Sequence, residues 1–233
     1  MDGNVGGAQW RGFEEFPNAS PLSRAELGYK PDDILLVYAG ASRWKESPLS
    51  SQIIRRVAQA IPNAQLLLIG SGIQPYEEEI RSLIEEMDLT RSVRRVGRVD
   101  YEKLPAYLAM CNAFVTASVT EVHPLSVIEA MGAGLPVMGI HSVGVGDTVV
   151  DGVTGLLATH DLPAFTAKLT RLCLDPNLRA QLSDSARKAS SAYAIERTTD
   201  IMLKHYEKLV RESHPRKSHW SIRLRKLLDR ITQ

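Results

Sequence analysis

Residues 118–140 read SVTEVHPLSVIEAMGAGLPVMGI, a mostly apolar stretch that carries two carboxylates, Glu121 and Glu129. From Glu121 to Asp147 no acidic or basic side chain other than Glu129 interrupts it, although His123 and His141 can titrate. Its two ends set how it folds. The β-rich run AFVTAS (113–118) leads into it, and a second apolar run, 135–140, closes it. Pro124 stands where a first helical turn would begin, a position that tolerates its missing N–H. The stretch therefore reads as a loop, VTEVH, at the carboxyl end of a strand, then a helix from about Pro124, then another strand.

The same alternation recurs outward from this point. Strands are expected at 34–40, 65–70, 93–99, 113–118, 135–140 and 155–159. Helical spacing joins Ile80, Leu83, Ile84 and Met87, and again Leu104, Tyr107 and Leu108. Asp151-Gly152 and Thr154-Gly155 are turn chemistry ahead of the sixth strand. Helical sequence then runs from about Leu162 to Glu212, broken near Pro176 and near 190–193. Strands that alternate with helices build βαβ units, and continuously apolar strands are those covered on both faces. The expected fold class is α/β, a Rossmann-like parallel sheet of about six strands with helices on both faces. Three segments are expected: a linker or arm over 1–21, rich in Gly, Asn and Ser, a domain over 22–212, and a basic amphipathic tail over 213–233.

Composition narrows the class. Apolar residues make up 44% of the 233 residues and charged ones 24%, which places the chain among ordinary globular proteins. The net charge of +1 argues neither for nor against a nucleic-acid partner, so local charge is read instead, and no nucleic-acid partner is expected. Cys111 and Cys173 sit in apolar surroundings and read as buried free thiols of a reducing compartment. The N-terminus shows no basic segment followed by an apolar core, and no apolar run is long enough to span a bilayer. A cytoplasmic location is the expectation.

In open parallel sheets, ligands bind outside the carboxyl ends of the strands, which puts Glu121 at the ligand edge. The first-turn amides of Leu125 and Ser126 would offer the positive end of a helix to an anion there. Read blandly, Glu121 is a carboxylate favoured by that dipole, worth about 0.3–1 kcal/mol. Glu129 asks for more. Its neighbours Val127, Ile128, Ala130 and Met131 are apolar, and a buried unpaired carboxylate costs several kcal/mol. Its partners are either the paired hydroxyls of a ribose or a distant Arg or backbone amides.

The Glu121…Glu129 pair, with EAMGAGLPV after it, resembles the E-x7-E motif of the family 4 retaining glycosyltransferases. RAELGYKPDDILLVYAG, QLLLIGSG, VGRVDYEKLPAYLAMCNAFVTAS and VVDGVTGLL resemble successive blocks of the C-terminal, donor-binding domain of that family, in order, over about residues 22–210. The resemblance implies a hexosyltransferase that takes its sugar from a nucleotide-diphosphate sugar, with the sheet as the C-terminal half of a two-Rossmann-domain enzyme. It implies that Glu129 binds the ribose hydroxyls and that Glu121, the catalytic candidate, faces the transferred sugar. The backbone at His123, Pro124, Leu125 and Ser126 would hold sugar and diphosphate, and Gly97, Arg98 and Val99 would contact the base. Arg43 and Lys45 would grip the diphosphate. They stand a residue or two from the family's positions, with Ala41 where the family has its Arg and Val122 where it usually has Gly. The chemistry implied is departure of a nucleoside diphosphate with retention at the anomeric carbon, an electrostatic task.

The resemblance begins near the start of the chain, so the acceptor-binding domain is expected from elsewhere in the same or another chain. A non-catalytic nucleotide-binding or interaction module that retains the fold is the alternative. Gly70-Ser71-Gly72 lacks the third glycine of a dinucleotide fingerprint, and Asp32-Asp33 lack partner ligands for a metal. No cofactor and no metal are expected; the nucleotide sugar is a substrate. Beyond Pro215, Trp220, Leu224, Leu227, Leu228 and Ile231 share helical spacing among Arg216, Lys217, Arg223, Arg225, Lys226 and Arg230. That pattern suits an anionic membrane surface and a peripheral attachment.

Overall fold

The computed structural model of the chain describes residues 13–40, 48–71 and 74–212. Six strands form one sheet: β1 (Ile34–Ala39), β2 (Ala64–Ile69), β3 (Val93–Gly97), β4 (Ala113–Val115), β5 (Val137–Ile140) and β6 (Gly155–Ala158). All neighbours pair in parallel, in the order β3-β2-β1-β4-β5-β6. The strand order reverses between β1 and β4, where Leu36 lies opposite Ala113 and Val37 opposite Phe114. A crevice at the carboxyl ends of those two strands is the usual ligand position of such a sheet.

The strands lie where apolar runs placed them, with trimmed ends except that β2 begins one residue earlier, at Ala64. β5 begins at Val137 because Pro136 has no N–H for the ladder, although its carbonyl accepts from Phe114 N at 3.0 Å. β4 stops at Val115, and after Thr116 N bonds to Met138 O (2.9 Å) the chain leaves the sheet.

Side chains alternate across the sheet, which gives two core layers. Leu36, Leu66 and Val115 pack on one face with Ile53, Ile54 and Val57 of α1 (Pro48–Ala60), Ile80 and Ile84 of α2 (Gln74–Glu86), and Phe165 and Leu169 of α6 (Leu162–Leu174). Leu35, Val37, Leu67 and Phe114 pack on the other. They meet Leu108 of α3 (Leu104–Ala109), Val127, Ala130 and Met131 of α4 (Leu125–Gly132), and Val145 of α5 (Val145–Thr148). α7 (Pro176–Ser190) gives Leu182 to the first layer and Ala186 to the second. The helix breaks fall where they were expected, since Asp175 caps α7 by accepting from Leu178 N at 2.9 Å and Pro176 opens it. Both cysteines are buried, and burial pushes each thiol up to about 12.

Two boundaries differ from expectation. Part of the segment read as a linker is packed: 13–18 form a 3-10 helix whose Phe16 is 1% exposed, in contact with α3 and α4. An aromatic ring finds a core even in a Gly- and Asn-rich context. The compact unit also ends at Ala192 rather than at 212, and a second unit begins at Tyr193. The described part of that unit contains α8 (Ile195–Glu212), which buries none of its residues. The basic tail, 213–233, lies outside the described residues. Among the described residues, no helix is long and apolar enough to cross a membrane.

Candidate functional site

Parallel pairing brings the carboxyl ends of all six strands to one edge. At the strand reversal the loop after β4 rises from buried Thr116, whose Oγ1 accepts from Ser118 N at 3.2 Å. Ser118 Oγ in turn donates to Glu121 Oε1 at 3.2 Å, and the Glu121 side chain is exposed on the rim. The loop is backed by the segment after β5. Ser142 Oγ donates to Ser118 O at 3.2 Å, and Gly144, at φ 81°, passes directly under Glu121. A Cβ on Gly144 would sit 2.2 Å from the Glu121 carbonyl oxygen, so only glycine fits. Val122, where the resemblance has Gly, is 84% exposed, and His123 is exposed beside it.

Pro124 forms the N-cap of α4 and is itself buried. Its carbonyl accepts from Val127 N (3.0 Å) and Ile128 N (3.1 Å), and no side chain caps the terminus. The amides of Leu125 and Ser126 thus lie in an uncapped first turn, the positive end of the helix. α4 buries Val127, Ile128, Ala130, Met131 and Gly132, and leaves Leu125, Ser126 and Glu129 as its unburied side. Residues four apart share a helix face, so Glu129 lies one turn below Leu125.

Glu129 is half-buried, and among the described residues its partner is neither an arginine nor a backbone amide. The Tyr101 hydroxyl donates to Glu129 Oε1 at 2.9 Å. Tyr101 opens a 3-10 turn, Tyr101–Lys103, that follows β3, and Phe16 meets its ring edge-on with centroids 5.9 Å apart. Burial pushes the Glu129 carboxyl above its ordinary range, and the Tyr101 hydrogen bond pulls it back. Burial, and then the Glu129 charge, hold the Tyr101 phenol well above its usual value, so the phenol stays a donor. Sequence reasoning missed Tyr101 and Gly144. The signal for Tyr101 was an aromatic in the turn after a strand at the ligand edge; its partner, 28 residues on, leaves no local pattern.

The remaining strand ends complete the edge. Gly40 N bonds to Ile69 O (3.0 Å) and Gly70 N to Gly97 O (2.8 Å). At Gly70 (φ 121°) a Cβ would lie 2.0 Å from Gly40 O, which accounts for that glycine by close strand approach rather than by a phosphate loop. Beyond Gly97, Arg98 is exposed, while Val99 packs against the second core layer. Arg43 and Lys45 lie outside the described residues. Among the described residues, no group of three His, Cys, Asp or Glu side chains is placed to hold a metal ion. A cleft of about 670 Å³ opens at the opposite, amino edge of β1–β3, lined among others by Lys30, Asp33, Arg91 and Arg94. It contains neither glutamate, and its volume alone assigns it no chemistry.

Residues 20–189 match the family model described as glycosyl transferases group 1. A D-inositol 3-phosphate glycosyltransferase from Saccharomonospora viridis is 30% identical over 202 residues, covering 82% of this chain and 46% of that protein. Among solved structures, the sucrose-phosphate synthase of Thermosynechococcus elongatus is 29% identical at a TM-score of 0.72, over 83% of this chain and 50% of that one. Anabaena HepE in complex with UDP-glucose (23% identical, TM-score 0.66) covers 83% of this chain and 55% of that one. The C-terminal domain of a group 1 family protein from Francisella tularensis (17% identical, TM-score 0.66) covers 78% and 98%. These last two likenesses are of fold. The chain spans about half the length of the first two proteins.

Proposed function

The chain belongs to the group 1 glycosyltransferases, and from that membership we propose that it binds a nucleoside-diphosphate sugar at the carboxyl edge of its sheet. In this reading it is the donor-binding half of a retaining hexosyltransferase. The observation that carries the reading is the unburied side of α4. There an uncapped helix N-terminus and a half-buried carboxylate, Glu129, open on one side of one helix.

Each group has a task in this reading. The first-turn amides of Leu125 and Ser126, with the backbone of His123 and Pro124, receive the diphosphate and sugar without requiring a cation in the helix itself. Arg43 and Lys45 add charge-assisted bonds to the same phosphates. Glu129 accepts from the ribose hydroxyls, which supply the donors that its apolar neighbours cannot. Gly97, Arg98 and Val99 contact the base. Glu121, exposed on the rim and tethered through Ser118, faces the transferred sugar. As the bond from the anomeric carbon to the diphosphate breaks, negative charge grows on the departing phosphate. Donors fixed around that charge lower the barrier more than they stabilise the ground state. A second domain, from elsewhere in the same or another chain, would bring the acceptor hydroxyl to the retained face.

The UDP-glucose held by Anabaena HepE supports UDP as the first nucleotide to try. A cytoplasmic protein with its tail on an anionic membrane surface is the location we propose. One observation favours the second reading, a non-catalytic module: Ala41 stands where a phosphate-gripping Arg is usual. Calorimetric titration with UDP, GDP and ADP, each with and without a sugar, tests the site. Binding by one of them is expected, and no binding by any at millimolar concentration would end the proposal. Sugar transfer after addition of an acceptor domain separates the enzyme from the module.

A further inference from the structure

Tyr101 has a role that the family reading does not assign. We propose that Tyr101 is a positioning residue for Glu129, and that its single neutral donor on Oε1 fixes the carboxylate for recognition of a ribose diol. The inference rests on the placement of ribose at Glu129 argued above.

Three observations support it. First, among the described residues no lysine or arginine pairs with Glu129, although the carboxylate is half-buried in an apolar helix. A guanidinium in that place would take both oxygens at once and neutralise the charge. A phenol offers one hydrogen, fills one of about four lone-pair sites, and leaves the charge to attract hydroxyl donors. Second, the phenol is held from behind. Phe16, 1% exposed, meets the Tyr101 ring edge-on at 5.9 Å and an interplanar angle of 63°, so the hydroxyl cannot swing away without disturbing the core. Third, the contact joins two parts of the ligand edge. Tyr101 opens the turn four residues past Gly97, beyond the strand whose carboxyl end is the proposed base contact, and Glu129 lies on the unburied side of α4. One hydrogen bond thus ties the base side of the site to its ribose side. A carboxylate left to rotate would still attract a hydroxyl, but it would discriminate poorly between a diol and a single hydroxyl, because two bonds require one orientation.

The test is the ratio of affinities of the full chain for UDP and 2′-deoxy-UDP, measured calorimetrically, with GDP and ADP and their 2′-deoxy forms used if UDP does not bind. Tyr101→Phe keeps the ring against Phe16 and removes only the donor. We expect it to reduce the ribose preference about tenfold while leaving affinity for the deoxy form near that of the unmodified chain. A residue of purely structural importance would weaken both ligands alike. Glu129→Gln should abolish the preference. If Glu129→Gln abolishes it and Tyr101→Phe, still folded, leaves it unchanged, the positioning role is overturned and the ribose site stands. If Glu129→Gln leaves the preference intact, or no nucleotide binds, both fall. Should Tyr101→Phe fail to fold, Tyr101→Leu replaces it and is read in the same way: in a folded protein, an unchanged ribose preference overturns the role, and a reduced preference with affinity for the deoxy form retained supports it.

Discussion

Gly144 runs so close beneath Glu121 that a Cβ on it would lie 2.2 Å from the Glu121 carbonyl oxygen. The loop that presents Glu121 is thereby seated on the loop after β5, and Ser142 Oγ fastens the two by donating to Ser118 O. Gly144→Ala must both hold a left-handed backbone, which costs about 1–3 kcal/mol, and push the Glu121 loop outward. The expected outcome is a Tm lowered by about 2–4 °C per kcal/mol lost, with weaker binding of nucleotide sugar than of the sugar-free nucleotide. Equal loss for both ligands would show that the loop does not serve the sugar.

Glu129 sets function against stability, and the sign follows from its shift. Burial, only partly offset by Tyr101, raises its folded carboxyl above the ordinary 4.5. A raised folded value means that the folded state holds the proton more tightly than the unfolded one. The stability this contributes is therefore complete below about pH 4.5 and lost as pH rises through the folded value. Glu129→Gln, neutral at every pH, should then match the parent in acid and exceed its Tm at neutral pH. Thermal unfolding from pH 4 to pH 8 checks this. A variant less stable than the parent at pH 7 would mean that the carboxylate is a structural asset rather than a functional cost.

Phe16 anchors the segment before β1 and steadies the Tyr101 ring. Phe16→Ala should cost about 3–5 kcal/mol, the usual range for emptying such a site. Denaturant unfolding should show the loss as a lower midpoint with an unchanged slope. If Phe16→Ala is silent, that ring is not part of the core.

The strands were readable because each is an apolar run bounded by turn residues, and the helix breaks because Pro176 and the 190–193 stretch interrupt a period. Those signals are local. Pro136 shifted the start of β5 by a local rule as well. Tyr101 and Gly144 act through contacts with residues distant in sequence, and nothing in VGRVDY or SVGVGD says which residue will face them. Phe16 was hidden for a different reason, since its surroundings have the composition of a linker and its neighbours Glu15, Pro17 and Asn18 are not buried. For the carboxylate pair, the opening stretch showed that Glu129 needs a partner, and among the described residues that partner is a neutral donor, Tyr101.

The basic tail offers a prediction from sequence alone. Six Lys and Arg residues interleaved with Trp220 and five aliphatic residues should favour anionic lipid by about 1 kcal/mol per charge near the surface. The full chain should float with vesicles containing phosphatidylserine and not with neutral ones, and a chain ending at residue 214 should not float. Equal flotation of both chains would exclude the tail as the attachment.

Arg43 and Lys45 test how much of the anion affinity belongs to the helix. Charge-assisted bonds contribute about 1.5–3 kcal/mol each, whereas a helix terminus contributes about 0.3–1 kcal/mol when exposed and up to about 2 kcal/mol in favourable, partly buried geometry. Arg43→Ala with Lys45→Ala should therefore weaken UDP binding about a hundredfold or more and flatten its dependence on salt, because two of the screened charges are gone. The residual affinity should still exceed that for uridine, since the amides at α4 continue to favour the diphosphate. Unchanged binding in the double variant would leave the basic loop solvated and assign the diphosphate to α4. UDP and uridine binding equally in the double variant would assign the whole anion affinity to the two side chains.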